Sequence, residues 1–123
     1  MAFDIAIKKN NGGICLDEWI SFVNKNDSFF WVEKLPGDKV FKTNGVNIPP
    51  NRLALWFSNP VNPVADLAFM LSSSGEMVFG LSDDFFLLQK IIDVAKELNG
   101  YVEADDGTIL NEVNDIYNID WGE

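Results

Sequence analysis

The residues of this chain that could do chemistry are mostly carboxylates, and the residues missing beside them argue against an active site. The 123-residue sequence contains no histidine and a single cysteine, Cys15. A chain without histidine lacks the commonest general base and the commonest metal ligand, and one cysteine forms neither an internal disulfide nor a thiolate metal cluster. Carboxylate pairs, lysine and tyrosine remain as the groups that could support catalysis. The sequence therefore predicts a protein that is not an enzyme and that holds no cofactor and no metal.

Three groups of neighbouring carboxylates still need an interpretation. Asp17-Glu18 and Asp83-Asp84 each fall where a predicted helix begins, where negative charge is favourable. Adjacent residues of a helix point about 100° apart, so these pairs do not converge on one substrate. Asp105-Asp106-Gly107, followed by Glu112, is rich in oxygen ligands but lacks the residue order of an EF-hand loop. A surface turn is the favoured interpretation of this third group, and a calcium site is the alternative.

The strongest signal is the charge of the C-terminal part of the chain. The sequence has 19 Asp and Glu against nine Lys and Arg, a net charge of −10. Residues 97–123 hold eight of the acidic side chains and no basic one, which leaves eleven acidic and nine basic side chains in residues 1–96. Phosphate contacts need clustered basic residues, so direct nucleic-acid binding is not expected. Attraction to a basic protein is the expected counterpart of this charge.

Aromatic and aliphatic side chains are interleaved with these carboxylates, as is typical of a segment that docks on a folded surface. We predict that the segment binds a partner, and an ordinary solvated acidic surface is the alternative. The predicted partner-binding residues are Glu103, Asp105, Asp106, Glu112, Asp115, Tyr117, Asp120 and Trp121.

The elements that must position this surface follow from the spacing of apolar residues. Residues 16–25 and a stretch from Phe85 to Leu98 carry an apolar face at helical spacing. Alternating or short apolar runs predict strands at 2–8, 29–32, 39–42, 53–57, 67–71, 77–79 and 101–103. This order predicts an α+β fold, a two-layer sandwich with two helices on one face of a mostly antiparallel sheet. The arrangement is similar to a ferredoxin-like split βαβ unit with an added strand.

The same patterns predict which side chains are buried. Eight helix residues are expected to face the sheet, namely Leu16, Trp19, Ile20, Val23, Phe85, Leu88, Ile92 and Ala95. Ser82 is expected to cap the start of the second helix and Gly100 to end it. Trp56, Met70 and Val78 occupy the strand positions opposite the expected core rows. They could form an exposed face that recruits a partner, but a cover by residues 27–50 or by the C-terminal segment is favoured.

The length predicts one domain, with residues 1–110 as its core and 111–123 as an acidic segment docked on that core. No apolar run approaches the roughly 18 residues of a membrane span, and no charged leader precedes an apolar stretch. The expected protein is therefore soluble and cytoplasmic, without a membrane partner.

Two stretches of the sequence resemble small bacterial immunity proteins. One is the turn into the first helix, Ile14-Cys15-Leu16-Asp17-Glu18-Trp19, and the other runs from Ile92 to Gly107 and reads IDVAKELNGYVEADDG. Immunity proteins are the antidotes of contact-dependent or polymorphic toxin systems, encoded beside a toxin domain that is often a nuclease. The resemblance implies a cytoplasmic inhibitor that binds a cognate basic toxin domain, but it transfers no site residue, because the toxin-binding surface varies most in such proteins. The alternative is a small-molecule-binding or regulatory module with a pocket between sheet and helices.

Overall fold

The computed structural model describes residues 4–81 and 84–120. Six strands, two α-helices and one short 3₁₀ helix follow one another in this part of the chain. In chain order they are β1 (Asp4–Lys8), α1 (Leu16–Lys25), β2 (Phe29–Trp31), β3 (Leu53–Trp56), β4 (Leu67–Met70), β5 (Met77–Gly80), α2 (Phe85–Glu97), β6 (Tyr101–Ala104) and the C-terminal 3₁₀ helix (Val113–Asn118).

The strands form two antiparallel sheets of three strands each across the described residues, ordered β5-β1-β6 and β2-β3-β4. We call them the first and the second sheet. The predicted α+β class is confirmed, but the single ferredoxin-like sheet is wrong. The chain turns tightly at 72–75 between β4 and β5, yet β4 pairs with β3 and β5 pairs with β1. An alternating pattern predicts that a segment is a strand, but it does not determine which strand lies beside it.

Each helix packs mainly against a different sheet. Helix α2 contacts β1 and β6 of the first sheet, whereas α1 contacts β2 of the second. Trp19 of α1 lies at the centre of the aromatic core, and its indole nitrogen donates a 3.0 Å hydrogen bond to the backbone oxygen of Arg52. Its ring centroid is 5.7–6.4 Å from those of Phe22, Phe29, Trp31 and Phe69. Aromatic contacts at this distance stabilise a core beyond the area that they bury.

Strand β3 is buried on both faces, which reverses the orientation expected for it. Ala54 and Trp56 face the main core, and Trp56 is only 6% exposed. The residues expected in the main core form a second, smaller cluster under the irregular segment after β2, namely Leu53, Leu55 and Phe57. The run from Leu53 to Phe57 has no polar residue, so its periodicity does not determine which row faces the main core.

The other two positions expected to be covered are exposed. Met70 is 46% exposed and Val78 is 59% exposed. The prediction that residues 27–50 or the C-terminal segment would cover these side chains is therefore wrong for both. The expected strand at 39–42 is also absent, because these residues belong to an irregular connection between β2 and β3. That connection covers the second sheet instead, through side chains such as Leu35 and Ile48.

Helix α1 begins and ends as predicted, and polar contacts define its start. The Glu18 carboxylate accepts a 3.2 Å hydrogen bond from the backbone amide of Cys15 and lies 2.5 Å from the Lys9 ammonium. The hydrogen bond from Lys9, followed by that from Cys15, lowers the pKa of Glu18 below its ordinary value. These contacts satisfy an amide that the first helical turn leaves without a helical partner.

The ends of α2 differ in detail from the prediction. Asp84 is its N-cap, and its carboxylate accepts hydrogen bonds from the amides of Phe86 and Leu87. The expected cap, Ser82, lies outside the described residues, as does Asp83. At the other end Leu98 is the C-cap in place of the expected Gly100, and Asn99, with φ 59°, adopts the left-handed conformation that often follows a helix. Gly100 has a different role, because a Cβ at this position would lie 2.4 Å from the backbone oxygen of Lys8.

Most of the predicted helix core is buried. Trp19, Val23, Leu88, Ile92 and Ala95 are each at most 3% exposed. The remaining three predicted residues, Leu16, Ile20 and Phe85, are half-buried. Neither α-helix of the described chain has the length and apolar character needed to cross a membrane.

Candidate partner-binding surface

The face of the first sheet that is turned away from α2 carries a shallow groove rimmed by carboxylates. The register pairs Ala6 of β1 with Val78 on one side and with Glu103 on the other. These side chains therefore lie on the face opposite Ile5 and Ile7, which are buried in the main core. We call this surface the acidic groove, and its charged lining residues are Asp4, Lys8, Glu76, Glu103, Asp105 and Asp106.

Negative charge dominates the lining of this groove. Five carboxylates line it, and the one basic side chain among its described lining residues is Lys8. The Lys8 ammonium lies 3.0 Å from a Glu103 oxygen, and this contact raises the pKa of Lys8 above its ordinary value. An exposed ion pair of this kind contributes little to stability. It does neutralise the positive charge of Lys8, the basic residue of this lining. The groove therefore has a negative rim around the apolar side chains of Ala6 and Val78.

A tight turn after β6 places two of the carboxylates. The amide of Gly107 donates to the carbonyl of Ala104 at 2.9 Å, and the amide of Ala104 donates to the carbonyl of Thr108 at 2.8 Å. The Asp105 carboxylate accepts a 3.0 Å hydrogen bond from the amide of Asp4 at the start of β1. The interpretation of this sequence as a turn is confirmed. No group of three Cys, Asp or Glu side chains within residues 4–81 and 84–120 is placed to hold a metal ion.

Asp106 connects this turn to the C-terminal segment. One carboxylate oxygen accepts a 2.9 Å hydrogen bond from the amide of Thr108, and the other accepts a 2.6 Å hydrogen bond from the amide of Asp120. The amide of Asp120, followed by that of Thr108, lowers the pKa of Asp106 below its ordinary value. The carboxylates of Asp105 and Asp106 are therefore both held in place by backbone amides before any partner arrives.

The C-terminal 3₁₀ helix contacts α2. Ile116 and Ile119 belong to the main core and are 7% and 4% exposed. The Asp115 carboxylate accepts hydrogen bonds from the amides of Asn111 and Glu112, at 2.8 and 3.1 Å, and so caps the start of this helix. Tyr117 is 74% exposed, and its ring makes an edge-to-face contact with that of Phe85, with the centroids 6.3 Å apart.

The eight residues predicted to bind a partner thus fall into separate groups. Glu103, Asp105 and Asp106 line the acidic groove, and Asp120 is joined to it through its backbone amide. Three others belong to the 3₁₀ helix or its cap and do not line the groove, namely Glu112, Asp115 and Tyr117. Trp121 lies outside the described residues.

Sequence reasoning missed two carboxylates of the groove, Asp4 and Glu76. Asp4 lies 101 residues from its hydrogen-bonding partner Asp105, and Glu76 precedes β5. Only the pairing of β1 with both β5 and β6 brings them beside Glu103. The sequence signal that pointed to this groove was Val78, because alternation along β5 places its side chain on the face opposite the core.

A second concave surface lies on the second sheet, where Leu55 of β3 and Leu67 and Ala68 of β4 line it together with side chains from the irregular segments 35–41 and 63–66. We call it the apolar groove. It differs from the pocket expected for a small-molecule-binding module, which was placed between sheet and helices. A depression that α1 does line, together with Glu97 and Leu98, is bordered mostly by polar side chains such as Ser21, Lys25 and Asn26.

The function of these surfaces has to be argued from their own residues and charges. No model of a protein family, no curated protein and no solved structure matches the chain.

Proposed function

We propose that this chain is an immunity-type inhibitor that neutralises a basic toxin domain by binding it through the acidic groove. The observation that carries the proposal is the convergence of five carboxylates around the exposed side chain of Val78. A small apolar centre surrounded by a charged rim is the usual organisation of a protein–protein interface. The negative rim selects a partner whose facing surface is positive.

The carboxylates of the groove are suited to binding because they are held before the partner arrives. Asp105 and Asp106 accept hydrogen bonds from backbone amides, at 2.6–3.0 Å, and each keeps lone pairs free for further donors. Side chains that are already ordered lose less conformational entropy on association. The groove therefore offers fixed negative charges to Lys and Arg side chains of a partner.

The resemblance to immunity proteins suggests the class of this partner. A nuclease binds a polyanion and needs a positive cleft for it, because phosphate contacts require Lys and Arg. An acidic surface on an inhibitor is complementary to such a cleft and speeds association by electrostatic steering. We therefore propose a nuclease toxin domain as the partner.

Co-expression tests this proposal. The proposal predicts that a toxin domain is encoded beside the gene for this chain, and that domain is expressed in bacterial cells, with and without the chain, while growth is measured. The wild-type chain should restore growth, whereas Val78→Lys should not, because it places a positive charge at the centre of the groove. Gln89→Lys is the matched control, since Gln89 is exposed on α2 and the substitution changes the net charge equally.

Failure of the wild-type chain to restore growth would reject the proposed function. Equal protection by Val78→Lys and by the wild-type chain would leave an inhibitor but reject the acidic groove as its binding surface. The melting temperature of each variant shows whether its effect comes from loss of folding.

A further inference from the structure

The apolar groove has the size and lining of a small-molecule site. Its volume is about 320 Å³, at the lower end of the range of ligand pockets. Leu55 of β3 and Phe57, which directly follows β3, form its floor, and Val40 and Val64 belong to the irregular segments that border it. A space of this size suits one compact ring system or a short aliphatic chain.

The rim of the groove leaves apolar side chains in water. Val40 is 83% exposed and Val64 is 74% exposed, while the floor residues Leu55 and Phe57 are at most 4% exposed. Exposed apolar side chains grouped around a depression mark a surface that gains burial when it is occupied. The lining therefore favours a ligand with an apolar body.

One cation is positioned on this lining. The Lys39 ammonium lies 4.4 Å from the centroid of the Phe57 ring and donates a hydrogen bond to the backbone oxygen of Pro60. An ammonium has three donors, so two remain for a ligand. The acidic side chain of the lining, Asp66, accepts hydrogen bonds from the amide and the hydroxyl of Ser58 with one carboxylate oxygen, at 2.7 and 2.8 Å. The Lys39 ammonium is therefore the charged group of this lining that can bind an anion.

We propose that the apolar groove binds a small amphipathic anion, with its apolar body on Leu55 and Phe57 and its carboxylate or sulfonate at Lys39. The charge complementarity with Lys39 and the volume of the groove together select this class of ligand. The site lies on the second sheet, whereas the acidic groove lies on the first. The inference is therefore independent of the proposed inhibitor function.

Two fluorescent probes of similar shape test both parts of the site. Anilinonaphthalene sulfonate carries an aromatic body and one negative charge, and N-phenylnaphthylamine has the same body without the charge. Both are titrated into the folded full chain, and their affinities are compared between variants. Lys39→Met removes the charge and keeps the length of the side chain. Lys42→Met is the matched control, because Lys42 is exposed and does not line the groove.

Lys39→Met should weaken binding of the anionic probe about three- to tenfold, as expected for a charge-assisted contact, and leave the neutral probe within about twofold. Lys42→Met should change neither. Ala68→Phe, which fills the groove, should weaken both probes. Val64→Glu replaces Ala68→Phe as the test if the latter does not fold. It adds a negative charge to an exposed rim position without entering the core, and it should weaken binding of the anionic probe alone.

Several results would overturn the inference. The anionic probe could fail to bind the folded chain, or Lys39→Met could affect the two probes equally. Insensitivity of both probes to a folded Ala68→Phe variant would place them elsewhere on the surface. If sedimentation shows a dimer, and the probes bind only to the dissociated monomer, the groove is the contact surface for a second copy of the chain.

Discussion

The backbone amide of Asp120 donates a 2.6 Å hydrogen bond to a carboxylate oxygen of Asp106, 14 residues earlier in the chain. The same carboxylate lines the acidic groove and also accepts a hydrogen bond from the amide of Thr108. One side chain thus contributes to the charge of the groove and to the attachment of the C-terminal segment. Since only the ionised carboxylate accepts both hydrogen bonds at full strength, the two properties should change together with pH.

Acidification should weaken the contact between Asp106 and Asp120. The folded pKa of Asp106 lies below its ordinary value of 3.8, so its stabilising contribution is complete above pH 3.8. That contribution is lost as the pH falls through the lowered folded pKa. The amide chemical shift of Asp120, followed by NMR, should therefore titrate with a midpoint below 3.8.

Asp106→Asn should remove this titration, whereas Asp93→Asn on the exposed face of α2 should leave it in place. A midpoint at or above the ordinary value in the wild-type chain would mean that the two hydrogen bonds do not favour the ionised form.

Association with a basic partner should depend on the acidic groove more than on the total charge. The groove variant combines Asp4→Asn, Glu76→Gln and Asp105→Asn, and the control combines Asp17→Asn, Asp27→Asn and Glu97→Gln on exposed positions elsewhere. Both variants lose three negative charges. The groove variant should lower the association rate constant about tenfold or more at low salt, because it removes local steering.

Stopped-flow measurements at several salt concentrations check this prediction. The difference between the two variants should shrink near 1 M salt, where the screening length falls to about 3 Å. Equal slowing by both variants would show that net charge acts without a defined surface.

Gly100 should be required for the close packing between β6 and β1. A Cβ at Gly100 would lie 2.4 Å from the backbone oxygen of Lys8, and a shift of either backbone would disturb the pairing of Lys8 with Tyr101, the residue after Gly100. Gly100→Ala should therefore lower the free energy of unfolding by about 1–3 kcal/mol. Gly80→Ala is the matched control, because nothing lies within 4 Å of its Cβ position. Urea unfolding should show a change within about 0.5 kcal/mol for the control. Similar effects of the two substitutions would contradict the close approach.

Leu88 should be one of the residues that hold α2 on the first sheet. Its side chain is 2% exposed, and the helix around it lies between the sheet and the C-terminal 3₁₀ helix. Leu88→Ala should cost about 2–5 kcal/mol, from lost burial and the cavity left behind. Gln89→Ala, on the exposed side of the same helix turn, should stay within about 0.5 kcal/mol. A small effect of both substitutions in thermal or urea unfolding would mean that α2 packs differently.

Secondary structure was largely predictable because it depends on neighbours along the chain. The apolar face of residues 16–25 predicted α1 to the residue, and the same reasoning identified the buried positions Trp19 and Leu88. The strand expected at 39–42 failed because a short apolar run without alternation also suits an irregular segment that covers a sheet. Similarly, the wholly apolar run of β3 could not reveal which of its two faces meets the main core.

The α+β class, the two helices and the concentration of negative charge after residue 96 follow from local patterns of the sequence. The division of the strands into two sheets, and the grouping of Asp4 and Glu76 with Glu103, Asp105 and Asp106 around one groove, arise from the folding of the chain in three dimensions. The periodicity of a segment indicates which of its side chains are buried, and this depends on residues close together in the sequence. Strand pairing and the convergence of side chains depend on contacts between residues far apart in the chain, such as Asp4 and Asp105, and no local pattern encodes their register.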